Sequence, residues 1–203
     1  MAVDVRTTQL DGEPAWDIAR LFPSQGAWSE ADYLSLPTNH AVEYTYGNLE
    51  VLTMPGEHHQ RIVLWLLQLL LAHVQAHQLG TVLMAPFPVR LWPGKFREPD
   101  IVFLRAEHRH RRHEQFWEGA DLVVEVVSPD DPTRDLIIKR DEYARAGIPE
   151  YWIVDRRPRT ITVLTLVDGV YVEHGIFGVG AQASSVLLSG FAVEVAAGFA
   201  ALE

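Results

Sequence analysis

One carboxylate inside an otherwise unbroken apolar run constrains this chain more than any other feature. The run Asp121-Leu-Val-Val-Glu-Val-Val-Ser-Pro129 carries Glu125 at its centre and is followed by Asp-Asp-Pro. A short valine-rich run bounded in this way predicts a central strand covered on both faces. A carboxylate there loses hydration worth several kcal/mol, so it is protonated, paired or bound to a cation. The other reading is an edge strand with Glu125 turned to water. Two neighbours in sequence favour a site. Asp100 opens a similar run, Ile101-Val-Phe-Leu104, and Lys139 falls on a helix predicted just after the Glu125 strand. Two acids on adjoining strands and a nearby lysine are the parts needed to hold a divalent metal against a phosphodiester.

The chain has 203 residues, enough to bury one substantial core, so one domain with a short extension is expected: an arm over 1–28 and the domain over 29–203. There is no cysteine, which excludes disulfide scaffolds, thiolate metal sites and cysteine nucleophiles. The start, Met-Ala-Val-Asp-Val-Arg, has no signal-peptide core, and the most apolar stretch, 62–74, is too short to span a bilayer. No membrane association and a cytoplasmic setting are therefore expected. The formal charge is −10, from 17 basic and 27 acidic residues. That argues against a general nucleic-acid coat, because phosphate binding depends on Lys and Arg. A local basic groove is still compatible with it, as is a site whose acids are neutralised by metal.

Periodicity and turn residues predict a mixed α/β chain. Ser29-Glu-Ala-Asp32 resembles a capping box and opens a short helix ending before Pro37. Two strands follow over 42–54 around a Gly47-Asn48 turn of type II′. A helix over 57–78, closed by Gly80, is apolar around nearly its whole circumference, which predicts burial by the sheet, other helices or a partner subunit. A strand over 81–91 is interrupted by Pro86 and Pro88, so a bulge or an edge position is expected. Asp131-Pro132 starts a helix running to Ala146, and 151–155 is a buried strand. Asp168-Gly169 joins strands 160–167 and 170–177. The apolar tail from Val186 suggests one more strand and a short turn.

Several residues carry two readings. At helical spacing Lys139 lies beside Tyr143 with Asp135 one turn earlier, so it either leans over the sheet towards Glu125 or pairs with Asp135 at the surface. His58 and His59 begin the long helix, where they could donate to a phosphate or serve as ordinary first-turn residues. His73 and His77 have a spacing that can bind zinc, but they also sit near a helix C-terminus, where cations are favoured anyway. The run Arg105–His113 holds four arginines and three histidines against one glutamate; it is a DNA-backbone grip or a solvated loop.

Metal-dependent nucleases of the PD-(D/E)xK type place an acid on one strand and Glu-x-Lys on its neighbour. Here Pro99-Asp100 and Glu125 are present, but Val127 stands where the lysine belongs. The wider set of segments is more specific: Val42-Glu-Tyr-Thr-Tyr-Gly47, His58-His59-Gln-Arg-Ile, Arg97-Glu-Pro-Asp-Ile-Val, Val124-Glu-Val-Val-Ser-Pro129, Asp135 through Lys139 to Tyr143, and Gly147-Ile-Pro-Glu-Tyr-Trp-Ile-Val-Asp155. Together, over roughly residues 29–195, they resemble the Uma-two family of restriction-type endonucleases. The resemblance implies a restriction-endonuclease-like α/β core with a central mixed sheet flanked by helices. It implies Asp100 and Glu125 as ligands of Mg²⁺ or Mn²⁺, Lys139 as the family's lysine moved from strand to helix, and Glu43 as an upstream acid of the site. DNA becomes the expected substrate and a homodimer the expected assembly, since two nearby sites cut both strands. The rival expectation is a nuclease-fold protein without catalysis, serving as a binding or scaffolding module; the acidic balance and Val127 favour it.

Overall fold

The computed structural model describes residues 22–37 and 41–200, so the expected arm over 1–28 lies largely outside the described residues. The elements are α1 (Glu30–Leu34), β1 (Val42–Thr45), β2 (Asn48–Val51), α2 (Glu57–Ala76), β3 (Gly80–Met84), β4 (Val89–Trp92) and β5 (Lys95–Arg97). After these come β6 (Ile101–Arg105), a 3-10 helix (Ala106–Arg111), β7 (Trp117–Glu118), β8 (Leu122–Val126) and a π-helical turn (Arg134–Ile138). The chain continues through α3 (Lys139–Arg145), β9 (Glu150–Asp155), β10 (Thr160–Val167), β11 (Val170–Gly178), β12 (Gln182–Ser184), β13 (Ala192–Glu194) and α4 (Val195–Ala200).

The Glu125 strand is β8, and every one of its five residues is buried. It lies inside a six-stranded sheet of order β11-β10-β9-β8-β6-β3, parallel to β9 and antiparallel to β6. Alternation along β8 sorts its side chains between two cores. Leu122, Val124 and Val126 join Ile62, Leu66 and Leu70 of α2 in one cluster; Val123 and Val127 join Tyr143, Tyr151 and Ile153 in the other. Each such aliphatic side chain contributes roughly 1.5–3 kcal/mol by leaving water. Glu125 shares its face with Val123 and Val127, and so looks towards α3.

A second sheet, of order β2-β1-β5-β4-β7, was not separated from the first in the sequence. The expected strand over 81–91 divides at its prolines: β3 becomes the edge of the six-stranded sheet, while β4 enters the smaller one. Two local expectations shift. The first hairpin turns on Tyr46 and Gly47, both at positive φ as a type I′ turn requires, and Thr45 pairs with Asn48. Gly47 is also pressed on the backbone of Gly26, where an added Cβ would lie 2.5 Å from the carbonyl oxygen. At the end of α2 it is Gln78, not Gly80, that takes the left-handed conformation. Helix α2 buries one face on the sheet and leaves Leu64 and Leu69 exposed, so it is amphipathic in the single chain. Among the described residues no helix is long and apolar enough to cross a membrane.

Candidate active site

Asp100 and Glu125 arrive together because β6 and β8 are antiparallel neighbours. Their last paired residues are Ile101 and Val124, and one step further along the same register sit the two acids. The Asp100 carboxylate accepts the Val126 N–H at 2.7 Å, and His59 Nε2 from the first turn of α2 lies 2.9 Å from its other oxygen. His59 thus belongs to the site, while His58 is exposed.

Lys139 is the residue whose position the sequence left most open. Its Nζ lies 2.8 Å from Glu125 Oε2, 3.2 Å from Asp135 Oδ1 and 3.9 Å from Glu43 Oε1, and its side chain is 5 % exposed. Both sequence readings of its partner are therefore satisfied at once, but at a buried position. The turn that delivers it is π-helical: the Lys139 N–H donates five residues back, to the Arg134 carbonyl. Asp135 is fixed in turn by the Ser128 N–H at 3.1 Å. The remaining oxygen of Glu125 accepts from the Tyr143 hydroxyl at 2.5 Å.

Glu43, buried on β1, stands behind this group and is not part of the cleft wall. Arg97 and Arg134 both donate to its Oε2, and the Glu98 N–H lies 3.3 Å from its Oε1. Burial opposes its ionisation, but Lys139, Arg97 and Arg134 outweigh that and hold its pKa at about 2. Arg134 also pairs with Glu50 of β2, and Arg97 with Glu142 of α3, so the hairpin, β5 and α3 are tied through charges. Lys95, two residues before Arg97 on the same strand face, reaches the same Glu142 at 2.7 Å.

With Glu43 neutralised by two guanidinium groups, the one ammonium of Lys139 serves three carboxylates: Glu125 and Asp135 in direct contact, and Asp100 through its field from farther off. The group is formally short of two positive charges. Its electrostatics show the deficit: burial first, with Asp100 and Asp135 adding to it, pushes the Glu125 carboxyl up to about 8 against the pull of Lys139. Burial alone would lower the Lys139 pKa; Glu125, Glu43 and Asp135 raise it well above the ordinary lysine value, so it is an ammonium. Asp100, Glu125, Asp135 and Lys139 open on one cleft of about 470 Å³. Glu98 also lines it, with Oε2 buried and unpartnered among the described residues, and burial together with Glu43 pushes its carboxyl up to about 7. A separate hollow of about 400 Å³ between α3 and the β10–β11 hairpin holds none of these groups.

Among the described residues no group of three or more Asp, Glu or His is set to enclose a metal. The donor set is two hard carboxylates that line the cleft and belong to a four-residue group with a formal deficit of two charges. That fits a divalent ion such as Mg²⁺, which keeps much of its coordination for water and substrate phosphate.

Other sequence candidates fall elsewhere. Val127 is buried among Tyr143, Ile148 and Ile153 and does not reach the cleft. His73 and His77 sit with rings 4.7 Å apart at the end of α2 against Phe191, with no third ligand among the described residues. The basic segment lies at the opposite end of β6 and β8 from the acids, beside Asp121. Arg97, Arg134, Tyr143 and Glu98 were not anticipated as members of the site. Their signals were weak: Arg97 and Glu98 directly precede Pro99-Asp100, and Arg134 and Tyr143 flank Lys139 by about a helical turn on either side.

No curated protein matches the chain. Among solved structures it superposes on a protein from Anabaena variabilis ATCC 29413, described as a putative nuclease belonging to DUF820, with a TM-score of 0.71 and 17 % identity. The match covers 89 % of this chain and all of that one; at this identity it establishes the fold. The family profile described as "Uma2: Putative restriction endonuclease" matches residues 30–196. The chain therefore belongs to the Uma2 family, and its α/β architecture is the restriction-endonuclease-like core with a central mixed sheet flanked by helices.

Proposed function

We propose that this chain is a divalent-metal-dependent endonuclease acting on DNA, with Asp100 and Glu125 holding Mg²⁺ or Mn²⁺. The observation that carries the proposal is Lys139 Nζ at 2.8 Å from Glu125 Oε2, in a cleft that Asp100 also lines. When bound, the metal supplies positive charge at the scissile phosphate and favours ionisation of an attacking water. The chain's own residues do the rest. Lys139, pinned by Glu125 and Asp135, presents an ammonium that offsets charge developing on the phosphoryl oxygens, and it needs no reorganisation to do so. His59 fixes the rotamer of Asp100, and Tyr143 fixes that of Glu125. Glu43 acts from behind, by holding Arg97 and Arg134 and adding to the field that keeps Lys139 charged. A homodimer would place two such clefts on opposite strands of a duplex.

One observation favours the non-catalytic alternative: both Glu125 oxygens already have partners, Tyr143 and Lys139. A Mg²⁺ and Mn²⁺ titration separates the two readings. An endonuclease binds the ion and nicks plasmid DNA, and Asp100→Ala and Glu125→Ala lose both activities. A wild-type chain that binds neither ion is a scaffold.

A further inference from the structure

The basic segment takes no part in the cleft, yet it is built as a fixed feature. At its start the buried carboxylate of Asp121 accepts the Arg105 N–H at 2.8 Å and lies 2.8 Å from His108 Nδ1. At its end Arg112 pairs with Trp117 through a β-bridge, lies 5.9 Å over the Trp117 ring and donates to Thr81 Oγ1 at 3.0 Å. Between these anchors Arg109 and Arg111 form no salt bridge among the described residues, and Arg109 is exposed. A chain with a formal charge of −10 has here concentrated four arginines on a braced turn.

Strand β3 connects this turn to the cleft. It is the edge of the six-stranded sheet, paired only with β6 among the described residues, and its register runs from Gly80 opposite Arg105 to Met84 opposite Ile101. Thr81 receives Arg112 at one end; Met84 and Ala85 line the cleft at the other. The strand, Gly-Thr-Val-Leu-Met, has no charged side chain to repel a polyanion, and its outer edge has no strand partner among the described residues, which leaves backbone N–H groups there for a ligand. From Asp100, just before β6, to Arg105 at its end is five residues, about 17 Å at the rise of an antiparallel strand, and Arg112 reaches Thr81 beside that same end. That distance is about five base-pair steps of duplex DNA.

We infer that Arg109, Arg111 and Arg112, reached from the cleft along the β3 edge, form a second contact with the phosphate backbone of duplex DNA about five base pairs from the cut. This deepens the endonuclease reading and rests on it for the identity of the ligand. Such a contact adds affinity and orientation without reading sequence.

The test is fluorescence anisotropy of a labelled duplex of about 20 base pairs with the full chain in EDTA, between roughly 50 and 200 mM salt. The variant is Arg109→Gln with Arg111→Gln, which spares Arg112 and its packing on Trp117. Each lost phosphate contact should reduce the slope of log affinity against log salt by about 0.9, so the pair should flatten it by nearly two. The Arg109→Lys/Arg111→Lys pair, equally free of anchoring contacts, should retain the wild-type slope. A Gln pair that melts with the wild type and keeps a slope within about 0.5 of it overturns the inference. Hydrolysis of bis(p-nitrophenyl) phosphate with Mn²⁺ reports the cleft separately, and the Gln pair should leave it unchanged. Turnover of the small diester with an unaltered salt slope defeats the second contact alone. No wild-type turnover, with a slope that the Gln pair still flattens, defeats catalysis and leaves the DNA contact standing.

Discussion

Replacing Lys139 by methionine keeps most of the side-chain volume and removes the ammonium from among Glu125, Asp135 and Glu43. Lys139 and Glu125 are 4 % and 3 % exposed, so solvent does not screen the loss. Stripping one partner from a buried pair costs about 3–5 kcal/mol, which for a chain of this size lowers Tm by roughly 6–20 °C. The deficit should depend on pH. Glu125 has its carboxyl raised from 4.5 to about 8, so its protonated form suits the fold. The associated stability is fully present below 4.5 and is lost as pH rises through about 8. Without Lys139 that carboxyl rises further; the variant can protonate at about pH 5 at little cost, but not at about pH 8.5. Thermal unfolding by circular dichroism, free of divalent ions, should therefore show a small deficit in acid and the full one in base. Adding Glu125→Gln, which removes the orphaned charge, should restore most of the lost Tm at the higher pH. The reasoning fails if Lys139→Met melts within about 2 °C of wild type at pH 8.5, or if the double variant melts no higher than the single one. Under the endonuclease reading the same substitution leaves metal binding intact and costs about two to three decades in rate.

Asp100→Ala and Glu125→Ala should each abolish Mn²⁺ binding in calorimetry while preserving the far-UV spectrum; wild-type affinity in either would remove that residue from the metal site. Glu43 has its carboxyl depressed to about 2, so its ion pairs contribute stability above 4.5 that disappears as pH falls through about 2. Glu43→Gln should lower Tm at neutral pH and flatten the acid limb of the stability profile, and an unchanged limb would show that those pairs contribute nothing. Val127→Lys puts an ammonium among Tyr143, Ile148 and Ile153, so it should destabilise the chain by several kcal/mol rather than replace Lys139. Under the endonuclease reading, a Val127→Lys chain that melts like wild type, with activity restored to Lys139→Ala, would show that the strand position does face the cleft.

The parts of the fold visible in the sequence were those set by local pattern. The valine run around Glu125, the capping box at Ser29 and the Asp168-Gly169 turn each act over fewer than ten residues, and each lies where its pattern places it. The division of 81–91 between two sheets was not visible, because Pro86 and Pro88 mark a break without saying where the strand goes next. The amphipathic character of α2 was hidden by leucines such as Leu64 and Leu69, which the single chain leaves exposed. In the candidate site, the two acids could be read from their apolar settings. The guanidinium groups around Glu43 could not, because their partners lie 54 and 91 residues away in sequence and only the assembled sheet brings them together.

The wide turn before Lys139 has a consequence for how such proteins are found. A π-helical turn holds one residue more than an α-helical turn, so it changes which residue faces the sheet without changing where the helix lies. The address of the lysine in the chain is thereby uncoupled from the address of its charge in space. A search pattern that demands lysine two residues after the strand glutamate rejects this sequence at Val127. A pattern that asks for an ammonium within hydrogen-bonding distance of that glutamate, whatever element supplies it, accepts the sequence at once.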